Sequence, residues 1–576
     1  MHWKHIRRFW VISLAVSVSA CSGTPEVPPA DTVYTGGKLI TMVGDEPEYA
    51  QALAVREGRI VYVGSEDGLT EHVGDGTEQR NLDGAVLLPG FIDAHGHVAN
   101  VGFQSLSANL LPPPDGDGQS IDGLVSLLKD WQSQNNVLLQ ESGWIIGFGY
   151  DDSQLAEQRH PTAVDLDRVS TDLPVLIIHQ SGHLGVVNNK GLALLGFTPE
   201  VADPAGGVIR RLPDGVTPDG VLEEMAFFMP LMKIFSVFDL DTQKTLALAG
   251  IAAYTRFGFT TAQEGRADPG SARTWRALAA DGKLPIDVAI YPDVGMAEQF
   301  MLEQGVSTDY DNGVRIAGVK LSFDGSPQGK TAWLSQPYFH PPHNAASDYA
   351  GYPAIADVQE RQRQVNLAFE NNWQLLVHCN GDAAAQALID SVSEAAALYG
   401  NDDRRTVMIH AQTVREDQLD QMKLLHIVPS FFTMHTFYWG DWHREETLGP
   451  ERAMRISPTQ SALQRGMRFT THHDAPVALP SAAMILHTSV NRSSRSGVVM
   501  GDDQRLSPYA ALKSMTDWAA WQYFEEDDKG TLEVGKLADF VILDRDPLAI
   551  APDQLKDLLV LETIKEGQVV YLMGSK

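Results

Sequence analysis

Histidines stand at positions 95 and 97, separated by one glycine, in the segment PGFIDAHGHV (Pro89–Val98) that follows the apolar run Ala85-Val86-Leu87-Leu88. Residues i and i+2 of a strand share a face, so two imidazoles placed this way would converge and suit a divalent metal. Gly96 between them would let the backbone approach closely. One His-x-His pair is a weak signal, and its weight comes from repetition. LLVHC puts His378 at the end of one apolar run, and VMIHA puts His410 at the end of the next. THHDAPV brings Asp474 to the end of a further run. A carboxylate there could bind metal and accept a proton from metal-bound water, or it could cap the next helix. The tandem His472-His473 leaves the inward-facing residue open by one position. RIAGVKLSFDG sets Lys320 among apolar residues, where a free ammonium is costly. Its amine either reaches solvent at the strand end or has reacted with carbon dioxide, giving a carbamate anion able to bridge two metals.

Weaker candidates accompany these. His183 in SGHLGVVN is a substrate contact or a loop histidine; Asp324 orients a neighbouring ligand or serves an Asp-Gly turn; Tyr150, Asp151 and Trp333 line a pocket or simply pack. Cys379, next to His378, reads as core. The chain has only two cysteines, Cys21 and Cys379, which excludes a disulfide framework and a multi-cysteine zinc site. Gly-x-Ser-x-Gly, His-Glu-x-x-His and Gly-x-Gly-x-x-Gly are absent, so serine-hydrolase, zincin and dinucleotide readings lack their anchors.

The elements that must position these side chains follow from the hydrophobic pattern. Eight short apolar runs, from LLPGFIDAH to MRFTTHHD, alternate with helical stretches such as IADVQERQRQVNLAFENN. That alternation predicts an α/β fold, a (β/α)8 TIM-like barrel over 89–529 whose site lies at the C-terminal ends of the strands. Residues of about 100–245 break the rhythm and carry WIIGFGYD and PVLIIH, which reads as a long insertion after the first barrel strand. REGRIVYVG (Arg56–Gly64) and KEGQVVYLMG (Lys565–Gly574) echo one hairpin, so 31–88 and 530–576 are expected to form one small β-sandwich domain.

A length of 576 residues implies more than one core, and a formal net charge of −30 argues against nucleic acid as a partner. Residues 1–20 read as a signal peptide: a basic start, the apolar FWVISLAVSVSA, then Val18-Ser19-Ala20-Cys21. That ending resembles a bacterial lipobox, with Cys21 lipidated and 21–30 a flexible tether; the expected location is the outer membrane, facing the periplasm.

LLPGFIDAHGHV, SGHLGVVN, GVKLSFDGSPQGKTA, VHCNGDAA, HHDAPV and GTLEVGKLADFVILDRDPL, in this order, resemble the recurring blocks of the amidohydrolase superfamily, in the YtcJ-like branch of its third subgroup. The resemblance spans nearly everything after the tether. It implies a metal-dependent hydrolase acting on a non-peptide carbon–nitrogen bond (amide, N-acyl or N-formyl) through metal-activated hydroxide. His95, His97 and Asp474 would hold one metal, His378 and His410 a second, and the Lys320 carbamate would bridge them. Asp474 would pass the proton to the leaving nitrogen. Two divalent ions are expected, or one, with zinc favoured. The alternatives are a hydrolase of esters, lactones or cyclic amides, and a non-enzymatic binding or regulatory lipoprotein. The expected partners are a small-molecule substrate and the membrane through Cys21, with a homodimer left open.

Overall fold

A computed structural model describes residues 27–575, apart from 135–136, 205–206 and 343–344. The signal segment, Cys21 and the first part of the tether lie outside the described residues. Among those described, no helix is long and apolar enough to cross a membrane.

Two parallel sheets carry the predicted apolar runs. One has the order Val314–Ile316, Asp287–Pro292, Phe259–Ala267, Phe91–Ile92; the other has the order Gly318–Ser322, Gln374–Cys379, Thr406–His410, Ile427–Phe431, Thr470–Thr471. Runs such as LLVHC and TVMIH are largely apolar on both faces because helices cover the outside and side chains fill the inside. The outer helices include Pro269–Ala280, Val358–Glu370, Asp382–Tyr399 and Glu416–Leu424. The run VRIAGVKLSF is one strand interrupted at Ala317, and a single bridge from Asp293 to Lys320 ties its second half to the first sheet. At the other edges, Ile92 and Thr471 donate to the carbonyls of Met515 and Ser514 instead of pairing with each other. One interior cluster draws on both sheets: Ile92, Ala289 and Tyr291 from the first, and Leu376, Val407, Ile409 and Val428 from the second.

Between Ala108 and Glu224 the chain builds a separate six-stranded sheet, with Val175–His179 and Ile145–Tyr150 adjacent and parallel. It has its own apolar core. Strands from both ends of the chain share another six-stranded sheet, in which Phe540–Leu543 lies antiparallel to Val86–Pro89. Tyr34, Leu53, Leu87, Phe540 and Ile564 pack between this sheet and a four-stranded one built from Thr32 to Asn81. The two Glu-Gly hairpin turns touch: Gly58, at φ +73°, would place a Cβ 3.2 Å from the Glu566 backbone. A side chain there would strain the turn and push the hairpins apart.

A buried ionic knot fastens the C-terminal segment beneath the strand Asp287–Pro292. The Lys529 ammonium lies 2.7 Å from Asp287 and 2.6 Å from Glu525, and Lys565 lies 2.9 Å from Asp287 and 3.1 Å from Asp539. Removing Lys529 leaves Asp287 with Lys565 alone and Glu525 with Arg315 alone, a buried cluster one cation short, so Lys529→Ala is expected to cost about 3–5 kcal/mol in urea unfolding. A variant with an unchanged urea midpoint would show that the knot contributes little.

Candidate metal centre

The strand Phe91–Ile92 ends before His95, so His95 and His97 do not share a strand face as their spacing suggests. They converge because the chain turns over Asp93, whose carboxylate accepts the His95 N–H at 3.0 Å. Gly96 is tightly enclosed: a Cβ would sit 2.3 Å from the Tyr254 hydroxyl and 2.6 Å from Asp93.

Four histidines are each held by Nδ1. His95 bonds Gln263 Oε1 at 2.7 Å, His97 the Gly265 carbonyl at 2.7 Å, His378 the Asp324 carboxylate at 3.1 Å, and His410 His472 Nε2 at 3.2 Å. For the first three the partner is an acceptor, so Nδ1–H points outward and Nε2 is turned toward the centre, where His378 Nε2 also meets Asn380 Nδ2 at 3.3 Å. The Nε2 atoms of His95 and His97 then face Asp474 Oδ1 at 3.4 and 3.5 Å, and His410 Nε2 lies 4.0 Å from Asp474 Oδ2. The rings of His378 and His410 are 4.4 Å apart. Lys320, only 2% exposed, sets its Nζ 3.0 Å from His95 Nε2. The ligand atoms of His95, His97 and Asp474 lie within 4.8 Å of one another, close enough for one ion to reach all three. This donor set fits a divalent ion.

Burial sets the protonation states. It pulls His95 well below its usual range, helped by the charges of Lys320 and His97, and it lowers His410 likewise, so both imidazoles are neutral. It also draws the Lys320 amine down to about 7, against the attraction of Asp474. Burial pushes the Asp474 carboxyl up, but the hydrogen bond from His97 and the charges of His97, His472 and Lys320 outweigh it and hold the group ionised. His410 and Asp474 adopt left-handed backbone at φ +72° and +52°. Such angles in non-glycine residues are costly and cluster where side-chain direction matters.

Asp324, 4% exposed, is more than a turn residue. Its carboxylate takes His378 Nδ1 and the backbone N–H groups of Asn380, Gly381 and Trp333 at 2.7–3.1 Å. It fixes the His378 ring and the loop after it. Asp324→Ala is expected to weaken metal binding by about 10- to 100-fold, read by competition with a chelator. An unchanged affinity would reduce Asp324 to a loop staple.

A cavity of about 800 Å³ opens over these groups, and His183, Asp324, His378, Lys320 and Asp474 all border it. His183 faces it from the inserted sheet, with Nδ1 3.2 Å from Glu224. None of the three residues named as pocket lining, Tyr150, Asp151 and Trp333, borders it. Tyr150 is fully buried inside the insertion, its hydroxyl on His160 at 3.1 Å, because the end of its strand turns into that segment's own core. Trp333 lies behind the Asp324 loop, with the Arg361 guanidinium 5.5 Å over its ring. Asp151 instead joins Asp152 around His179, whose imidazole burial would lower but whose bonds to the two aspartates lift it to about 9. This arrangement is an ion pair holding a proton. Cys379 is buried core, its thiol pushed well up by burial.

Sequence reasoning passed over several cavity residues. Glu264 and Arg266 border the cavity at the end of Phe259–Ala267, and burial lifts the Glu264 carboxyl to about 7. The run GFTTAQE did end in an acid, the same kind of signal that marked Asp474. The tandem histidines divide their roles: His472 backs His410, while His473 Nε2 lies 3.3 Å from Asp93.

A family profile described as "Amidohydrolase family" matches residues 78–571. YtcJ of Bacillus subtilis (strain 168) is 27% identical over 551 residues, covering 94% of this chain and 99% of that protein. Protein LONG AFTER FAR-RED 3 of Arabidopsis thaliana is 30% identical over 528 residues, covering 89% and 87%. N-substituted formamide deformylase of Arthrobacter pascens is 26% identical over 531 residues, covering 91% and 95%. Among solved structures, an uncharacterized metal-dependent hydrolase from Pyrococcus horikoshii superimposes with a TM-score of 0.72 at 24% identity, covering 90% of this chain and 99% of that one.

Proposed function

Because the chain belongs to the amidohydrolase family, we propose that this enzyme is a metal-dependent hydrolase cleaving a non-peptide carbon–nitrogen bond: an amide, N-acyl or N-formyl group. The observation that carries this reading is the convergence of the His95 and His97 Nε2 atoms on the Asp474 carboxylate, with a buried amine beside them. We read the two parallel sheets as halves of one (β/α)8 barrel, which the interior cluster common to both supports. The centre then lies at the C-terminal ends of the strands, as barrel chemistry requires. The name of the Arthrobacter pascens relative, a formamide deformylase, supports a carbonyl–nitrogen substrate.

His95, His97 and Asp474 would hold one ion, and His378 and His410 a second, with zinc suited to imidazole and carboxylate donors. Bound there, divalent ions would acidify a water and polarise the scissile carbonyl. Lys320 would join them as a carbamate. Its nitrogen adds to carbon dioxide and loses a proton, a step that needs the uncharged amine that burial provides. Asp474 is the ionised group at the centre of the cluster. Its carboxylate oxygens take the proton released by water and deliver it to the leaving nitrogen. Gln263, Gly265 and Asp324 keep the imidazoles aimed inward throughout.

The test is metal quantification on protein trimmed of residues 1–21, alongside a panel of N-formyl and N-acyl amines and matching esters. We expect bound divalent metal and turnover of amides that a chelator abolishes. Metal-free protein, or turnover of esters alone, would overturn the carbon–nitrogen reading. We also propose export and anchoring through a lipid on Cys21. Labelled fatty acid should enter the expressed protein and be lost in Cys21→Ser, and labelling of neither would refute the anchor.

A further inference from the structure

The cavity is chemically two-ended. Its inner end holds the imidazoles, Lys320 and Asp474, while its outer wall is formed by Phe103, Phe228, Met232, Phe235, Phe238 and Leu246. Three of the aromatic rings make a continuous run, with Phe103 and Phe235 4.8 Å apart and Phe235 and Phe238 5.8 Å apart. Much of this wall comes from one helix, Met225–Phe235, whose sequence MAFFMPLMKIF has a single charged residue. Its inner residues Phe227 and Ile234 anchor it in the core of the inserted sheet. Its outer residues are wet: Met225, Met229 and Met232 are 37%, 53% and 58% exposed. Met232 is at once a cavity wall and a surface residue, so the apolar wall of the cavity continues out to solvent.

An apolar wall left wet costs free energy unless something covers it during function. A cavity of about 800 Å³ is far larger than a formyl group with a small amine needs. It falls in the range that encloses drug-sized ligands. Methionine side chains, flexible and polarizable, adapt to apolar groups of differing shape. Polar pairs that border the cavity are mutually satisfied, His183 with Glu224 at 3.2 Å and Thr274 with Gln243 at 2.8 Å.

We propose that the substrate is an amide bearing one extended apolar substituent, alkyl or aryl, which lies along helix Met225–Phe235 while its carbonyl faces His95, His97 and Lys320. This rests on the hydrolase reading and names its substrate class. The apolar arm holds the carbonyl end over the centre, so discrimination among amides comes from the arm and not from the shared metal ligands. Covering the helix with that arm also closes the wet side of the cavity. Water is thereby excluded from the reacting groups only when a substrate of the right class is present.

The test reads binding and not turnover, using non-hydrolysable methyl alkyl ketones of rising chain length, titrated calorimetrically into the metal-loaded enzyme. Affinity should rise about four-fold per added methylene until the arm fills. Met232→Ser and Phe235→Ser, with melting temperatures confirming that each is folded, should flatten that rise. Equal affinity across the series, or an undiminished slope in both variants, would overturn the proposal even if short amides are hydrolysed. A steep slope without hydrolysis of any amide would support the apolar arm and refute the carbon–nitrogen reading alone.

Discussion

Lys320→Ala is expected to remove most of the bound metal and to lower kcat/KM by about 10³-fold, with the fold retained. The side chain is buried at 2% exposure, and its Nζ sits 3.0 Å from His95 Nε2. Bare, it would be a poor neighbour for cations, since an ammonium there repels them. As a carbamate it becomes an anion able to join the ions, and losing it removes both the bridge and its charge. Lys320→Glu provides the control. A carboxylate at the same position should recover part of the metal content, whereas Lys320→Met should behave as the alanine variant. Metal per chain, measured by mass spectrometry of the purified proteins, reads all three. Near wild-type loading in Lys320→Ala would refute the bridge.

Asp474→Asn should be the most damaging conservative change for turnover, lowering kcat by about 10³-fold, within the range of a lost general acid–base group. The amide matches the carboxylate in size, and asparagine tolerates the left-handed backbone at φ +52°, so folding should survive. What is lost is the negative charge that three Nε2 atoms face at 3.4, 3.5 and 4.0 Å, and the oxygen that accepts the proton. Steady-state kinetics on the preferred amide, with metal restored in the buffer, is the measurement. A rate within ten-fold of the parent would move the proton-transfer role to another group, such as Glu264 on the cavity wall.

The two predictions draw on residues that differ in how far the sequence reveals them. His378 and His410 lie at the ends of strands whose apolar runs are unbroken, and Lys320 lies between Val319 and Leu321 in the middle of another, so their place in a strand follows from local pattern. Asp474 and the His95-Gly96-His97 turn lie beyond strands of only two residues, Thr470–Thr471 and Phe91–Ile92. Period-2 reasoning fails there, and a buried aspartate, Asp93, organises the turn instead. Tyr150 and Trp333 illustrate the opposite error. An aromatic residue near a strand end signals burial, but not which of two cores it enters, and that choice depends on sheet neighbours far away in sequence. Glu264 and Arg266 were missed because the strand Phe259–Ala267 runs to nine residues, longer than its apolar pattern. The substrate wall was the least legible feature, since MAFFMPLMKIF reads as ordinary core until its wet methionines are seen.

The central claim is that distant segments meet around metal ions and that hydrolysis depends on those ions. Anomalous scattering from crystals of active enzyme, recorded on either side of the zinc edge, tests this most directly. The account predicts a peak at about 2.0–2.2 Å from the Nε2 atoms of His95 and His97 and a carboxylate oxygen of Asp474. Crystals that turn over an amide while showing no metal peak among these three residues would contradict it.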